Sequence, residues 1–203
     1  MAKIAIVDYG MANLRSVQKA FERVGHEAVV TSDLNELAEA EKLVLPGVGA
    51  FKDAIAKLRE TGLDQLIDEH IAEGRLFLGI CLGFQMLFTR SSEDGLHAGL
   101  DIFPGEVVRF AAEPGLKVPH MGWNQIKILR NCPLFQGLPP EPDVYFVHSY
   151  YVKPMEDDLT ITETCYPKPF TSAIWRDNLF ATQFHPEKSQ NVGLKMLQNF
   201  AEM

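Results

Sequence analysis

Four short apolar runs, at residues 4–7, 28–30, 43–45 and 76–80, organise the first half of this 203-residue chain. A run of that length without polar alternation suits a strand covered on both faces. Amphipathic stretches separate the runs. Asn13 stands at a helix N-cap position, with Leu14, Val17, Phe21 and Val24 on one face and Gly25 as the stop. Asp33 and Glu36 form a capping-box pattern for a short helix. Residues 51–58 and 63–71 read as further helices ended by Gly74, and 82–88 as the helix after the fourth run. Alternating strand and helix with short connections predicts an α/β fold: an open, mostly parallel sheet with helices on both faces.

Beyond about residue 100 the pattern changes to strand-like segments at 105–110, 125–129, 144–147, 159–164, 172–175 and 179–184, punctuated by Pro, Gly, Asn and Asp. Asp177-Asn178 marks a hairpin, and Val192, Met196, Leu197 and Phe200 mark a final amphipathic helix. The expectation is additional antiparallel strands in the C-terminal half of one domain spanning 1–203, with no repeat or linker. No apolar stretch approaches the ~20 residues of a membrane span. The N-terminus reads as a first strand rather than a signal peptide, because Asp8 interrupts its short apolar core.

A net charge of −8 argues against a nucleic-acid surface, which needs clustered cations. Cys81, Cys132 and Cys165 are too few and too scattered for a disulfide framework, and no His/Cys cluster has metal-ligand spacing. The expectation is therefore a cytoplasmic protein with free thiols, no metal and no cofactor. One of those thiols has a distinctive setting. Gly79-Ile80-Cys81-Leu82-Gly83 lies where an apolar strand meets a helix, which is a cysteine form of the nucleophile elbow. Glycines two before and two after relieve crowding in such a turn, a helix N-terminus favours thiolate, and the Leu82 N–H is placed to bind an oxyanion. The plainer alternative for Cys81 is a small buried hydrophobe; Cys132, before Pro133, and Cys165, near a strand end, lack the elbow setting and are read as inert.

A nucleophilic cysteine needs a base, and the base an orienting acid. In His185-Pro186-Glu187 the alternate residues of an extended chain project to one side, and Pro186 biases His185 away from helix. A carboxylate beside the ring selects one tautomer and stabilises imidazolium. Solvent-facing residues at a strand end are the alternative. His26, His70 and His97 sit in polar surroundings and are read as solvated. Pro46-Gly47-Val48-Gly49 follows the third run, so it belongs at the same carboxyl edge as Cys81, where α/β sheets bind ligands. Gly49 is the natural second oxyanion donor, although a plain turn explains Pro-Gly equally well.

With Pro46–Gly49, Gly79-Ile80-Cys81-Leu82-Gly83-Phe84-Gln85 and Phe184-His185-Pro186-Glu187 assembled, the chain resembles the class I (triad-type) glutamine amidotransferases. The resemblance implies that family's fold and hydrolysis of L-glutamine through a Cys81 thioester, with His185 and Glu187 completing the triad. It further implies oxyanion donors at Leu82 and Gly49, and substrate contacts at Gln85, Gly47, Ser149 and Tyr150. Within the class, Asp8–Ser16, His120-Met121-Gly122-Trp123-Asn124, Phe146–Tyr151 and His185–Gln190 resemble glutaminase subunits of imidazole glycerol phosphate synthases. Ala12, where a second glycine is common, and Phe84, where methionine is frequent, depart from that pattern.

That narrower resemblance implies a heterodimer with a separate (β/α)8 cyclase subunit. The cyclase uses the channelled ammonia to convert the phosphoribulosyl intermediate PRFAR to imidazole glycerol phosphate and AICAR in L-histidine biosynthesis. Asn13, Trp123, Tyr145 and Lys188 resemble positions facing that partner or lying near the cleft. The alternatives are a glutaminase component of another amidotransferase, or a non-catalytic regulatory subunit.

Overall fold

The computed structural model describes residues 3–112 and 115–203; Met1 and Ala2, at the start of the N-terminal run, lie outside them. Strands β1 (Ile4–Val7), β2 (Ala28–Thr31), β3 (Lys42–Gly47) and β4 (Leu76–Cys81) alternate with helices α1 (Leu14–Arg23), α2 (Leu34–Ala38), α3 (Phe51–Thr61) and α4 (Leu63–Ala72). Helix α5 (Leu82–Gln85) leads into β5 (Phe88–Ser91), β6 (His97–Ala98), β7 (Phe103–Arg109), β8 (His120–Gln125) and β9 (Lys127–Ile128). Then come β10 (Asp143–His148), β11 (Tyr150–Pro154), β12 (Thr160–Cys165), β13 (Pro169–Arg176), β14 (Leu179–Thr182) and helix α6 (Gln190–Glu202).

An eight-stranded sheet runs in the order β2-β1-β3-β4-β14-β13-β12-β9. Its first five strands are parallel, and the remaining pairings are antiparallel. Side chains alternate between the two faces, as the pleat demands. Ile4, Ile6, Val44, Leu78 and Phe180 meet Val17 and Phe21 of α1 and Met196 and Phe200 of α6. Ala5, Val7, Leu43, Leu45 and Phe77 meet α3 and α4 through Phe51, Ile55, Leu58 and Ile67 on the other face. Burial on both sides explains why these strands read as unbroken apolar runs. A four-stranded sheet, β11-β7-β5-β6, and an antiparallel β8–β10 ribbon complete the fold.

Local differences from the sequence reading have physical causes. The helix expected over 82–88 is a single turn, because Met86, Leu87 and Phe88 are all fully buried and leave no polar face. Phe88 instead enters β5 and packs between Phe84 and Phe103, with ring centroids 5.6 and 6.2 Å away. Strand β3 continues through Pro46 and Gly47, which pair with Ile80 and Cys81. Proline is tolerated there because the β1 register ends at Ile6–Val44.

Asn13 precedes α1 but its side chain makes no capping hydrogen bond, whereas Asp33 accepts from the N–H groups of Asn35 and Glu36 at 2.8 and 3.2 Å. The reciprocal half of the capping box is not formed, since the Asp33 N–H donates to Thr31 Oγ1 at 3.1 Å. His70 is not solvated: it is buried under β4, with Nε2 3.0 Å from the Leu76 carbonyl oxygen. Among the described residues no helix is long and apolar enough to cross a membrane.

Ser189 ties the β8–β10 ribbon to the end of the main sheet. Its hydroxyl donates to the His185 carbonyl at 2.7 Å and accepts from the Tyr145 N–H at 3.0 Å, while the His185 N–H donates to the Tyr145 carbonyl at 2.9 Å. Ser189→Ala leaves the Tyr145 N–H without its partner. We expect it to cost about 1–3 kcal/mol of stability, measured as a lower urea midpoint with an unchanged m-value.

Candidate active site

Cys81 ends β4 with φ 56° and ψ −106°, a backbone conformation that costs a non-glycine residue energy and must be held by its surroundings. The flanking glycines explain how. A Cβ on Gly83 would collide with the Leu45 carbonyl oxygen, and one on Gly79 would come within 3.2 Å of Ala181 Cβ and of the Gly83 backbone. The turn is therefore packed backbone against backbone, and the elbow expected from the sequence is present. Because α5 is one turn long, the favourable field at the sulfur comes from that turn's own N–H groups rather than from a long macrodipole.

On the neighbouring strand, β14 runs parallel to β4 with Thr182 opposite Ile80, so the residues that follow it emerge beside Cys81. His185 is extended, with φ −101° and ψ 97°, and Pro186 opens a 3₁₀ turn over Pro186–Lys188. His185 Nδ1 donates to Glu187 Oε1 at 2.8 Å, and both side chains are almost wholly buried. That bond occupies Nδ1, while Nε2 makes no hydrogen bond in this geometry. Burial is the largest single influence on His185 and opposes its charge. Cys81 and Glu187 together outweigh burial and push its pKa up to about 10. The sulfur itself lies 3.7 Å from Gln183 Nε2 and 4.0 Å from the Val147 carbonyl oxygen.

Gln85 is buried beside them. Its Nε2 donates to the Tyr150 carbonyl at 2.9 Å and to Gln183 Oε1 at 3.1 Å. The same carbonyl accepts from His148 Nδ1 at 2.8 Å, which fixes the tautomers behind it. His148 Nε2 accepts from His120 Nδ1 at 3.0 Å, and His120 Nε2 accepts from Asn124 Nδ2 at 3.2 Å. This order requires both rings to be neutral. Burial lowers their pKa values, to about 4 for His120 and about 3 for His148. His120 is sandwiched between Tyr166 and Phe146, with centroids at 3.9 and 4.7 Å.

Gly47 lies opposite Cys81 in register, and a Cβ there would meet Tyr9 Oη at 2.5 Å and Leu82 Cβ at 2.8 Å. The Tyr9 hydroxyl is buried without a hydrogen-bond partner, and burial, followed by the nearby Cys81 charge, raises its pKa. The Val48 N–H donates to the Met11 carbonyl at 3.1 Å, and Gly49 is exposed with φ 96°. Next to this loop, Glu93 Oε2 accepts from the Phe51 N–H at 2.8 Å, and burial raises the Glu93 pKa.

The structure thus brings Cys81, His185, Glu187, Leu82, Gln85, Gly47 and the Tyr150 carbonyl to one sheet edge. Ser149 is half-buried between β10 and β11, with its carbonyl engaged by the Phe110 N–H at 3.1 Å. Trp123 is 49% exposed rather than a core residue, and it faces Tyr145 across the ribbon with centroids 6.0 Å apart. Asn13 is exposed at the head of α1, and Lys188 is half-buried in the turn after His185.

Sequence reasoning missed Glu93, whose Ser-Ser-Glu-Asp-Gly setting resembles any polar loop. It also missed Tyr9 and Gln183. A glutamine inside the apolar run at 179–184 was a usable signal for the latter. Among the described residues, no three His, Cys, Asp or Glu side chains gather to hold a metal ion.

Comparison with known proteins agrees with this geometry. The family model for class-I glutamine amidotransferases matches residues 5–203. The chain belongs to that family. This amidotransferase is 58% identical to imidazole glycerol phosphate synthase subunit HisH of Syntrophotalea carbinolica, covering 98% of this chain and 100% of the relative. It is 57% identical to the protein of the same name from Geobacter sulfurreducens, over the whole of both chains. A chain in the structure of PurLQS from Thermotoga maritima shares the amidotransferase fold. It is 20% identical with a TM-score of 0.74, covering 100% of this chain and 99% of that one.

The neutral histidine pair makes a pH prediction. Both folded pKa values lie below the ordinary value of 6.5, so the unfolded chain binds more protons between about pH 3 and 6.5. The pair's contribution to stability is complete above that window and is lost as the pH falls through it. Urea titrations from pH 7.5 to 4.5 should show this acid limb, and His120→Phe should flatten it.

Proposed function

We propose that residues 1–203 form one amidotransferase domain acting as the glutaminase subunit of an imidazole glycerol phosphate synthase, passing ammonia to a separate (β/α)8 cyclase subunit. The observation that carries the chemistry is the buried His185–Glu187 pair at 2.8 Å beside the strained elbow at Cys81. The names of the full-length relatives support the pathway.

On this reading the Cys81 thiolate attacks the side-chain amide carbon of L-glutamine. The Leu82 N–H receives the oxyanion. Its second donor is the Gly49 N–H, since the Val48 N–H is engaged by the Met11 carbonyl. His185, held protonated by Glu187 and by the sulfur's charge, gives its proton to the leaving nitrogen, and ammonia departs. A water molecule then loses a proton to His185 and attacks the γ-glutamyl thioester. The carbon–sulfur bond breaks, glutamate leaves, and the thiolate is restored.

Gln85 has spent both amide hydrogens within the protein, leaving Oε1 to accept from the substrate. Gly47, Ser149 and Tyr150 line the rest of the subsite. An amino-acid substrate also carries an ammonium group, and Glu93 beside the Gly49 loop is an acid placed to meet it.

The cyclase docks on the face carrying Trp123, Met121, Tyr145, Lys188 and Asn13. Exposed Met121 and Trp123 are the kind of large apolar side chains that anchor interfaces. A glutaminase without its ammonia acceptor wastes glutamine, so we expect weak activity from the isolated chain and severalfold stimulation by the cyclase with its ribonucleotide ligand. Ammonia release, measured with and without that partner, is the test. Cys81→Ser should reduce it by about 10³-fold or more, and Glu187→Gln by about 10²-fold or more. Undiminished release by Cys81→Ser sinks the triad. Full activity of the isolated chain sinks the partner-dependent reading alone.

A further inference from the structure

We infer that Gln183 is a further catalytic residue of this site, donating an Nε2–H hydrogen bond to the Cys81 sulfur and holding the thiolate as a fixed dipole. The inference rests on reading Cys81 as the nucleophile.

The orientation of the Gln183 amide follows from its neighbours. The Tyr150 carbonyl only accepts, so the Gln85 atom facing it is the donor Nε2. Its remaining hydrogen must find an acceptor, which makes the facing Gln183 atom Oε1, at 3.1 Å. Gln183 Nε2 is then turned toward Sγ, at 3.7 Å. A flipped amide would set two N–H₂ groups against each other and turn an oxygen toward a thiolate. The residue is fully buried, and its main-chain N–H is anchored on the Ser172 carbonyl at 2.9 Å, so the side chain has little freedom to turn away.

The chemistry needs such a group. Cys81 is 7% exposed, so water contributes little to holding a charge there. His185 stands beside the sulfur, yet on the proposed reading it gives up its proton within the cycle. Gln183 keeps its dipole throughout, and it faces the sulfur both when the thiolate attacks and when it leaves the thioester. Its bond to Gln85 also joins the amide that holds the nucleophile to the amide that holds the substrate.

Gln183→Glu keeps the shape and an oxygen acceptor for Gln85, but replaces the donor toward sulfur with a second oxygen. Gln183→Met fills similar volume without a donor and serves should the carboxylate prevent folding; thermal unfolding reports on both. The probe is iodoacetamide, with alkylation of Cys81 read by mass spectrometry against the exposed Cys165 of the same chain. We expect the Cys81-to-Cys165 rate ratio to fall by about ten- to a hundredfold, the range for a hydrogen bond to a charged group. In the complex with the cyclase and its ligand, Gln183→Glu should lose kcat in proportion while its KM for glutamine stays within about twofold, because the Gln85 contact survives.

A folded Gln183→Glu or Gln183→Met protein with the wild-type alkylation ratio overturns the inference, even if turnover has dropped. A wild type whose Cys81 reacts no faster than Cys165, and which releases no ammonia, instead overturns the nucleophile reading and takes the Gln183 role with it.

Discussion

The Gly83 backbone lies directly against the Leu45 carbonyl, close enough that a single added carbon would overlap it. That contact clamps the one-turn helix α5 onto strand β3 and holds Cys81 in a backbone conformation that side-chain-bearing residues avoid. Gly47, Leu82 and Tyr9 converge on the same spot. Loosening the clamp would release the elbow, the peptide N–H groups around it and the sulfur's place beside β14 together. The site's precision is therefore a packing property before it is a chemical one.

Electrostatics then separates three buried histidines into opposite states. His120 and His148 lie among aromatic rings; burial, aided at His148 by the nearby His185, keeps them neutral and gives the hydrogen bonds between them a single direction. His185 is just as buried, but a carboxylate at 2.8 Å and the nearby sulfur reverse the balance. The neutral pair ends at the Tyr150 carbonyl, where Gln85 also donates. A continuous polar chain thus joins the β8–β10 ribbon to Cys81, and the same ribbon displays Trp123 and Met121 to solvent. On the proposed reading, a partner seated on that ribbon touches the element whose hydrogen bonds also hold the catalytic turn.

Much of this site was legible in the residues themselves. Gly79, Cys81 and Gly83 declare a tight strand-to-helix turn because the crowding they relieve is local. His185-Pro186-Glu187 declares a ring and a carboxylate side by side because an extended chain has a period of two. Other features were misread for equally physical reasons. His70 looked solvated among charged neighbours, yet α4 turns it beneath β4. Residues 82–88 had helical composition, but tertiary burial on every side drew Phe88 into a second sheet.

The sequence alone determined the α/β alternation, the tight strand-to-helix turn at Cys81 and the contact between His185 and Glu187, because each is encoded within a few consecutive residues. Only the tertiary structure decided which groups meet around them. Gln85 reaches Tyr150 across 65 positions and Gln183 across 98. The Val48 N–H is occupied by Met11, and Glu93 reaches back to Phe51. Contacts between distant segments depend on strand order and register, and no local period or spacing carries that information. Cys81 was legible as a candidate nucleophile from five residues; the hydrogen bonds that surround its sulfur come from strands that only the folded sheet brings together.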